Sequence, residues 1–198
     1  SMNDAQRAFL IERFMSEFPD PANNPRMRKS ETLFELGRAA LPGGVILELG
    51  TFHGNGAICL AFGAGEASRP GLVCTCDDYA PRSGWAGEPY VPEDRDIFYD
   101  NLLGAGAENK IRLYDQPAEV LCSRWHTPIS LLYWDLWGER LASDFAAWSK
   151  FVIPGGTYAI HEPGTRQFGG EAVIRAALDS DEWTGGEARP GYIWTLQR

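Results

Sequence analysis

The residues best suited to chemistry come in short polar groups, each following an apolar run. Glu48-Leu-Gly-Thr-Phe-His-Gly-Asn-Gly56 follows Val45-Ile-Leu47, Asp77-Asp78 follow Leu72–Cys76, Asp135 follows Ile129–Trp134, and His161-Glu162 follow Gly156–Ile160. One carboxylate can accept from both hydroxyls of a vicinal diol. Imidazole beside an acid can move a proton or bind a metal. Glycines at 50, 54 and 56 suit a turn whose backbone passes close beneath a ligand. Their spacing is Glu-x-Gly-x-x-x-Gly, not the Gly-x-Gly-x-x-Gly of a dinucleotide binder.

The elements that must position these groups alternate. Apolar spacing predicts a helix over residues 4–18, broken by the Pro/Asn stretch Pro19–Pro25, and a second helix N-capped by Ser30 and ended by Pro42-Gly-Gly44. Strands are then expected at Val45–Leu49, Leu72–Cys76, Ile111–Tyr114, Ile129–Trp134 and Gly156–Ile160. Helices are expected at 55–63, 93–104, 117–125, 139–150 and 169–179, and a closing pair of strands around Trp183 and Gly191–Leu196. Residues 79–92, with Pro81, Pro89, Pro92, Gly84 and Gly87, read as a loop. Strands alternating with helices make an α/β fold with a mostly parallel sheet. Such sheets bind ligands beyond the carboxyl ends of their strands. A strand buried on both faces has no structural need for a carboxylate there. The length of 198 residues fits one structural domain, read as an N-terminal helical cap over 1–44 and a catalytic unit over 45–198.

The bulk numbers exclude several classes. A net charge of −9 with no dense basic run argues against nucleic acid. Arg26-Met-Arg28-Lys29 reads as solvated surface. No apolar run reaches the ~20 residues of a membrane helix. No signal peptide opens the chain, and Ser1 ahead of Met2 reads as a cloning remnant, so a soluble cytoplasmic protein is expected. Cys59, Cys74, Cys76 and Cys122 contain no C-x-x-C pair and read as buried thiols, with Cys74 and Cys76 on one strand face. A homodimer is left open.

Candidate roles follow from position. Asp77, with Asp78 competing, suits a ribose diol, and a ribose acid serves NAD equally well. Tyr114-Asp-Gln-Pro-Ala-Glu119 could hydrogen-bond an adenine or simply cap a helix. Asp135 could anchor a substrate, accept a proton or bind a metal. Trp134 and Trp137 flank it and could face a flat or cationic ligand or pack in the core. His161 is the favoured base, with Asp135 orienting the substrate. His53 suits a structural or ligand-contact role, and His126 reads as loop. Loop 79–92, with Trp85 and Tyr90, and the N-terminal helices would form a lid.

The ordered segments Ile46–Gly54, Leu72–Asp77, Leu131–Asp144 and Phe151–Glu162 resemble class I S-adenosylmethionine-dependent methyltransferases. The likeness is to catechol O-methyltransferase-type and macrocin O-methyltransferase-like small-molecule enzymes. It implies a Rossmann-like, doubly wound sheet of seven strands with the last antiparallel. It implies S-adenosyl-L-methionine as cofactor and a small-molecule hydroxyl as acceptor. It implies Glu48, Gly50 and Gly54 as cofactor-turn residues and Asp77 as the ribose ligand, and beside them Thr51, Phe52, Asn55, Gly56, Asp78, Ala118, Glu119 and Asp135 are read as cofactor contacts. It places Asp135, His161 and Glu162 where magnesium ligands sit. The chain departs from the pattern at Gly138, where catechol enzymes carry a Lys base, and at His161-Glu162, where the metal pair is Asp followed by Asn or Asp. Asp-Gly-Asp-His, usual in the macrocin-like relatives, is missing too. Magnesium prefers an all-oxygen octahedron, so an imidazole weakens the case for that ion. The competing readings are a catalytically altered S-adenosylmethionine binder and an NAD-linked oxidoreductase or epimerase.

Overall fold

A computed structural model describes residues 1–67, 72–83, 89–136, 140–162 and 169–198. Trp85, Trp137, Gly138 and the loop glycines 84 and 87 lie outside the described residues.

Asn3 and Gln6 form a reciprocal capping box that starts α1 (Asp4–Phe14). The second helix, α2 (Pro25–Ala39), starts six residues earlier than the sequence predicts. Asn24, not Ser30, is its cap, accepting from Arg26 N at 2.7 Å, and Pro25 occupies the first helical position. Ser30 is buried inside the helix, its hydroxyl 3.4 Å from Asn55 Oδ1.

The remaining elements are β1 (Val45–Leu49), α3 (Asn55–Glu66), β2 (Val73–Asp77), β3 (Arg82–Ser83), β4 (Pro89–Tyr90), α4 (Asp94–Gly104), β5 (Ile111–Asp115), α5 (Ala118–Arg124), β6 (Ile129–Trp134), α6 (Leu141–Trp148), β7 (Val152–His161), α7 (Gly170–Leu178), β8 (Thr184–Arg189) and β9 (Ile193–Gln197). The main sheet has seven strands in the order β5-β2-β1-β6-β7-β9-β8. The first five of these run parallel, and β9 pairs antiparallel with both β7 and β8. This is the expected Rossmann-like sheet with an antiparallel last strand. Two local expectations change. Strand β7 begins at Val152 rather than Gly156, the register slipping between Ile129 and Leu131 as the chain passes Pro154-Gly155-Gly156. The loop over 79–92 carries the short antiparallel pair β3–β4.

Side-chain alternation splits the core between the two sheet faces. Ile46, Val73, Leu131, Tyr133 and Ala159 pack with helices α1–α4 on one face. Leu47, Cys74, Leu132, Trp134 and Tyr158 pack with α5–α7 on the other. Helices α2 and α3 approach so closely that a Cβ on Gly37 would overlap Leu60 O, and one on Gly63 would overlap Phe34 O. That approach holds the N-terminal half of α2 above the carboxyl ends of β1 and β6. No described helix is long and apolar enough to cross a membrane. Cys59, Cys74 and Cys76 are buried, Cys122 is half-buried, and all four are free.

Candidate active site

Strand register builds the site. Glu48 is paired with Thr75 on one side and Tyr133 on the other, and Tyr133 with Ala159. One pleat further on, the same face carries Asp77, Gly50, Asp135 and His161 as a row along the carboxyl edge. Gly50 is the row's gap. Its φ is +101°, and a Cβ there would overlap the carbonyl oxygen of Asp135. Asp135 N donates to Leu49 O at 2.8 Å, so the two strand ends are locked together at this point.

Asp77 shapes the turn. Its Oδ2 accepts from Thr51 N and Phe52 N, both at 3.0 Å, while Oδ1 accepts from Tyr79 N at 3.1 Å and Arg82 at 3.0 Å. Four donors fill the carboxylate and hold Phe52 and Tyr79 at φ +46°, a left-handed conformation that persists only where surrounding bonds enforce it. Asp78 is 29% exposed and takes Ala80 N at 3.0 Å and Arg82 at 2.6 Å on Oδ1. The Arg82 guanidinium and the Ala80 amide lower its pKa despite partial burial. A cavity of about 170 Å³ opens beside these acids, lined by Asp77, Asp78, Arg82, Ala118, Leu136 and Arg140 among others. Glu119 is outside that lining and pairs with Arg140 at 2.7 Å. Phe52 stacks on His53 at 3.7 Å and meets Tyr90 edge-on at 4.9 Å, and Arg82 lies over the Tyr90 ring.

Beneath the turn, Glu48 is 1% exposed. Its Oε2 accepts from Thr75 Oγ1 at 2.6 Å, and Thr75 meets Thr51 Oγ1 at 2.6 Å. A Cβ on residue 56 would overlap Glu48 Oε1, so Gly56 makes room for the carboxyl group. Burial pushes the Glu48 pKa up to about 8, opposed by the Thr75 hydrogen bond. Asn55 starts α3 and contacts Ser30 and Cys59 rather than the cavity.

On the far side of Gly50, Asp135 is the centre of a cluster. Lys29 Nζ donates to its Oδ2 at 2.7 Å, Tyr133 OH to the same oxygen at 2.9 Å, and His161 Nδ1 lies 2.8 Å from Oδ1. Burial alone would raise the Asp135 pKa, but Lys29 and His161 outweigh it and hold the carboxyl well below the usual range. Glu162 follows His161 with φ +47°. The donor set expected for magnesium, Asp135, His161 and Glu162, does not fit a hard cation as folded. Both Asp135 oxygens are already engaged, one by an ammonium, which would repel a second cation. Among the described residues no group of three His, Cys, Asp or Glu side chains converges as a metal site.

One expectation is corrected here, at Lys29, and at Trp134 one of two alternatives is selected, packing in the core. Alternation turns it to the opposite face, where it is fully buried and donates to Asp144 at 3.0 Å. Lys29 is not solvated surface, being only 18% exposed at its side chain. Tyr133 was also missed by the sequence reading, although its parity with Asp135 was the signal. His53 Nε2 lies 2.8 Å from Asp94 Oδ1, and Asn101 donates to its carbonyl, contacts that suit the structural alternative.

With this geometry in place, comparison with known proteins decides the family. Residues 47–162 match a family described as a methyltransferase domain. The chain belongs to that methyltransferase family. The match takes in the end of β1 from Leu47, the glycine turn, Asp77, Asp135 and His161-Glu162. The NAD-linked oxidoreductase or epimerase is thereby set aside. Among solved structures, this methyltransferase is similar to an O-methyltransferase from Bacillus cereus in complex with S-adenosylhomocysteine. The TM-score is 0.68 at 15% identity, covering 100% of this chain and 92% of that one. It is also similar to an S-adenosylhomocysteine-bound methyltransferase of Podospora anserina (TM-score 0.71, 14% identity, 98% and 88% covered). A third is the O-methyltransferase of tomaymycin synthesis from Streptomyces achromogenes, in complex with S-adenosylmethionine (TM-score 0.65, 15% identity, 100% and 89% covered).

Proposed function

We propose that this methyltransferase uses S-adenosyl-L-methionine to methylate a hydroxyl group of a small molecule. The observation that carries the reading is the edge row Asp77–Gly50–Asp135–His161. A cavity lined by Asp77, Asp78 and Arg82 among others opens beside the row, and a proton-handling cluster is centred on Asp135. The solved O-methyltransferases that share this fold support oxygen as the acceptor atom.

The residues fit the cofactor. A cavity of about 170 Å³ suits a flat adenine-sized group between Ala118 and Asp78, and the rest of the molecule would lie across Gly50. Asp77 is committed to the turn, so it positions the backbone while Asp78 and Arg82 face the cavity. Glu48, Thr51, Asn55 and Gly56 support the turn from beneath. The bound cofactor supplies an activated methyl group. The protein's own work is to align the acceptor, exclude water and take one proton. His161 suits the proton transfer. With Nδ1–H donating to Asp135, the lone pair is on Nε2, turned from the carboxylate. Tyr90 with Phe52, together with the helices of residues 1–44, would close the site as a cap over residues 45–198. Four free thiols suit a reducing cytoplasm, and the net charge of −9 suits a small molecule better than nucleic acid.

Thermal unfolding tests the reading. S-Adenosylhomocysteine at ~100 times its Kd should stabilise the fold by about 2.7 kcal/mol, a rise in Tm of about 5–10 °C for a chain of this size. NAD should give no shift. Stabilisation by NAD with none from S-adenosylhomocysteine would overturn the assignment.

A further inference from the structure

Lys29 is placed with unusual care for a residue at the end of a basic run. The α2–α3 contact at Gly37 and Gly63 sets the height of its helix. The β8–β9 turn then presses on the lysine itself. A Cβ on Gly191 would overlap Lys29 Cα, so only a bare backbone fits there, and that backbone has φ +81°. Thr32 Oγ1 donates to Pro190 O at 2.7 Å, and Glu162 N donates to Tyr192 O at 2.7 Å. One turn therefore ties α2 to the segment that ends in His161. The result is an ammonium 2.7 Å from Asp135 Oδ2 and 5.8 Å from the centre of the Tyr133 ring. Hydrophobic packing has no use for a charge at this position, and desolvating one is costly.

We propose that Lys29 is a catalytic residue of the acceptor site, a fixed cation at Asp135 that binds the acceptor's oxygen and does there what a divalent ion would otherwise do. The inference rests on the methyl-transfer reading above and assigns a residue which that reading leaves idle. An ammonium has three N–H donors. Asp135 takes one, and the side chain retains 18% exposure at the carboxyl edge. Lys29 and His161, the proton acceptor, engage the two oxygens of the same Asp135 carboxylate, so cation and base belong to one cluster. The adenine-sized cavity reaches from Asp77 and Asp78 to Leu136 and Arg140, and neither Lys29 nor Asp135 lines it, which leaves the Lys29 side to the acceptor. In the step, the acceptor's O–H proton passes to His161. Its oxygen forms the new C–O bond as the C–S bond breaks. The electron pair of that bond remains on sulfur, giving the neutral thioether. Lys29 changes neither bond nor proton count. It stabilises negative charge on oxygen before the methyl group neutralises it.

Three measurements on the full chain test this. Mn²⁺ binding followed by electron paramagnetic resonance in the S-adenosylhomocysteine complex should be equally weak in the wild type and in Asp135→Asn. A tight Mn²⁺ site lost in Asp135→Asn would overturn the proposal, because the carboxylate cannot hold both cations. S-Adenosylhomocysteine affinity by calorimetry should change less than about threefold in Lys29→Met. A loss of about tenfold or more would assign Lys29 to the cofactor's carboxylate instead. The third probe is 4-nitrocatechol, whose anion is read by its visible spectrum, added to the same complex. Wild type should bind the anion, Lys29→Met should weaken it by about tenfold or more, and Lys29→Arg should keep it within about threefold. Equal behaviour of wild type and Lys29→Met, including no binding by either, refutes the role. The Arg variant keeps the ion pair and guards against simple misfolding. Loss of S-adenosylhomocysteine binding by the wild type itself would instead remove the underlying methyl-transfer reading.

Discussion

Replacing Glu48 by Gln should make the protein more stable at neutral pH and remove a pH dependence that the wild type carries. Glu48 has 1% exposure, and burial raises its pKa from 4.5 to about 8. The Thr75 hydrogen bond and Lys29 offset part of that rise, while Asp135 and Asp77 add to it. Between those two pH values the folded chain holds a proton that the unfolded chain has released. Stability from this group is therefore complete below pH ~4.5 and is lost as pH rises toward ~8, with a slope of about 1.4 kcal/mol per pH unit. At pH 7 the loss amounts to about 3 kcal/mol. Glutamine keeps the shape and an oxygen for Thr75 but never ionises. Urea titrations from pH 5 to pH 8 should show the two proteins within about 1 kcal/mol at pH 5, with Glu48→Gln about 3 kcal/mol more stable at pH 7. That difference corresponds to a Tm higher by about 6–12 °C. Parallel stability curves, or a wild type that gains on the variant as pH rises, would refute the assignment of a protonated carboxyl under the turn.

Two further substitutions probe the scaffold of the site. Asp77→Asn keeps the shape but offers one oxygen where two are used, so either the Thr51 and Phe52 amides or Tyr79 N and Arg82 meet an NH₂ group. A loss of about 2–4 kcal/mol in urea unfolding is expected, with weaker S-adenosylhomocysteine binding. Gly191→Ala must take φ +81° and overlaps the Lys29 backbone. It should cost about 2–4 kcal/mol and speed hydrogen exchange at Glu162 N, whose partner Tyr192 O lies on the displaced turn.

The architecture was legible because its signals are local. Apolar runs with polar ends fixed the parallel strands, and β6 falls at Ile129–Trp134 as the sequence predicts. The same runs put Asp77, Asp135 and His161 at one edge without any knowledge of the turns between them. Lys29 was illegible for a specific reason. Ser30 is a good N-cap residue, so placing the helix start there left Lys29 outside it, among charges that read as surface. With Asn24 as the true cap, Lys29 lies three and four residues before the buried Thr32 and Leu33, on the helix face that packs inward. Its partner Asp135 is 106 residues away in sequence, and no local pattern encodes that pairing. Trp134 was left between ligand and core for a simpler reason. Its neighbours in sequence are chemical, but strand parity sends it to the other face.

The edge acids also look different once their partners are known. In the sequence, Glu48, Asp77, Asp78 and Asp135 are four acids at neighbouring strand ends of a chain with net charge −9. Folded, Glu48 is protonated near neutral pH, Asp77 is met by two turn amides and by the Arg82 it shares with Asp78, and Asp135 is held between Lys29 and His161. Most of the charge on these acids is therefore met locally, three carboxylates facing the fixed cations Arg82 and Lys29. A ligand with a cationic centre must then be held there by shape and by directed hydrogen bonds. A crevice without a strong field of its own also gives up a neutral thioether product as readily as it takes in the charged donor. That balance depends on Lys29. Removing its charge would leave Asp135 with His161 as its one remaining basic partner among the described residues and would turn the acceptor side acidic, opposing the oxyanion that transfer requires.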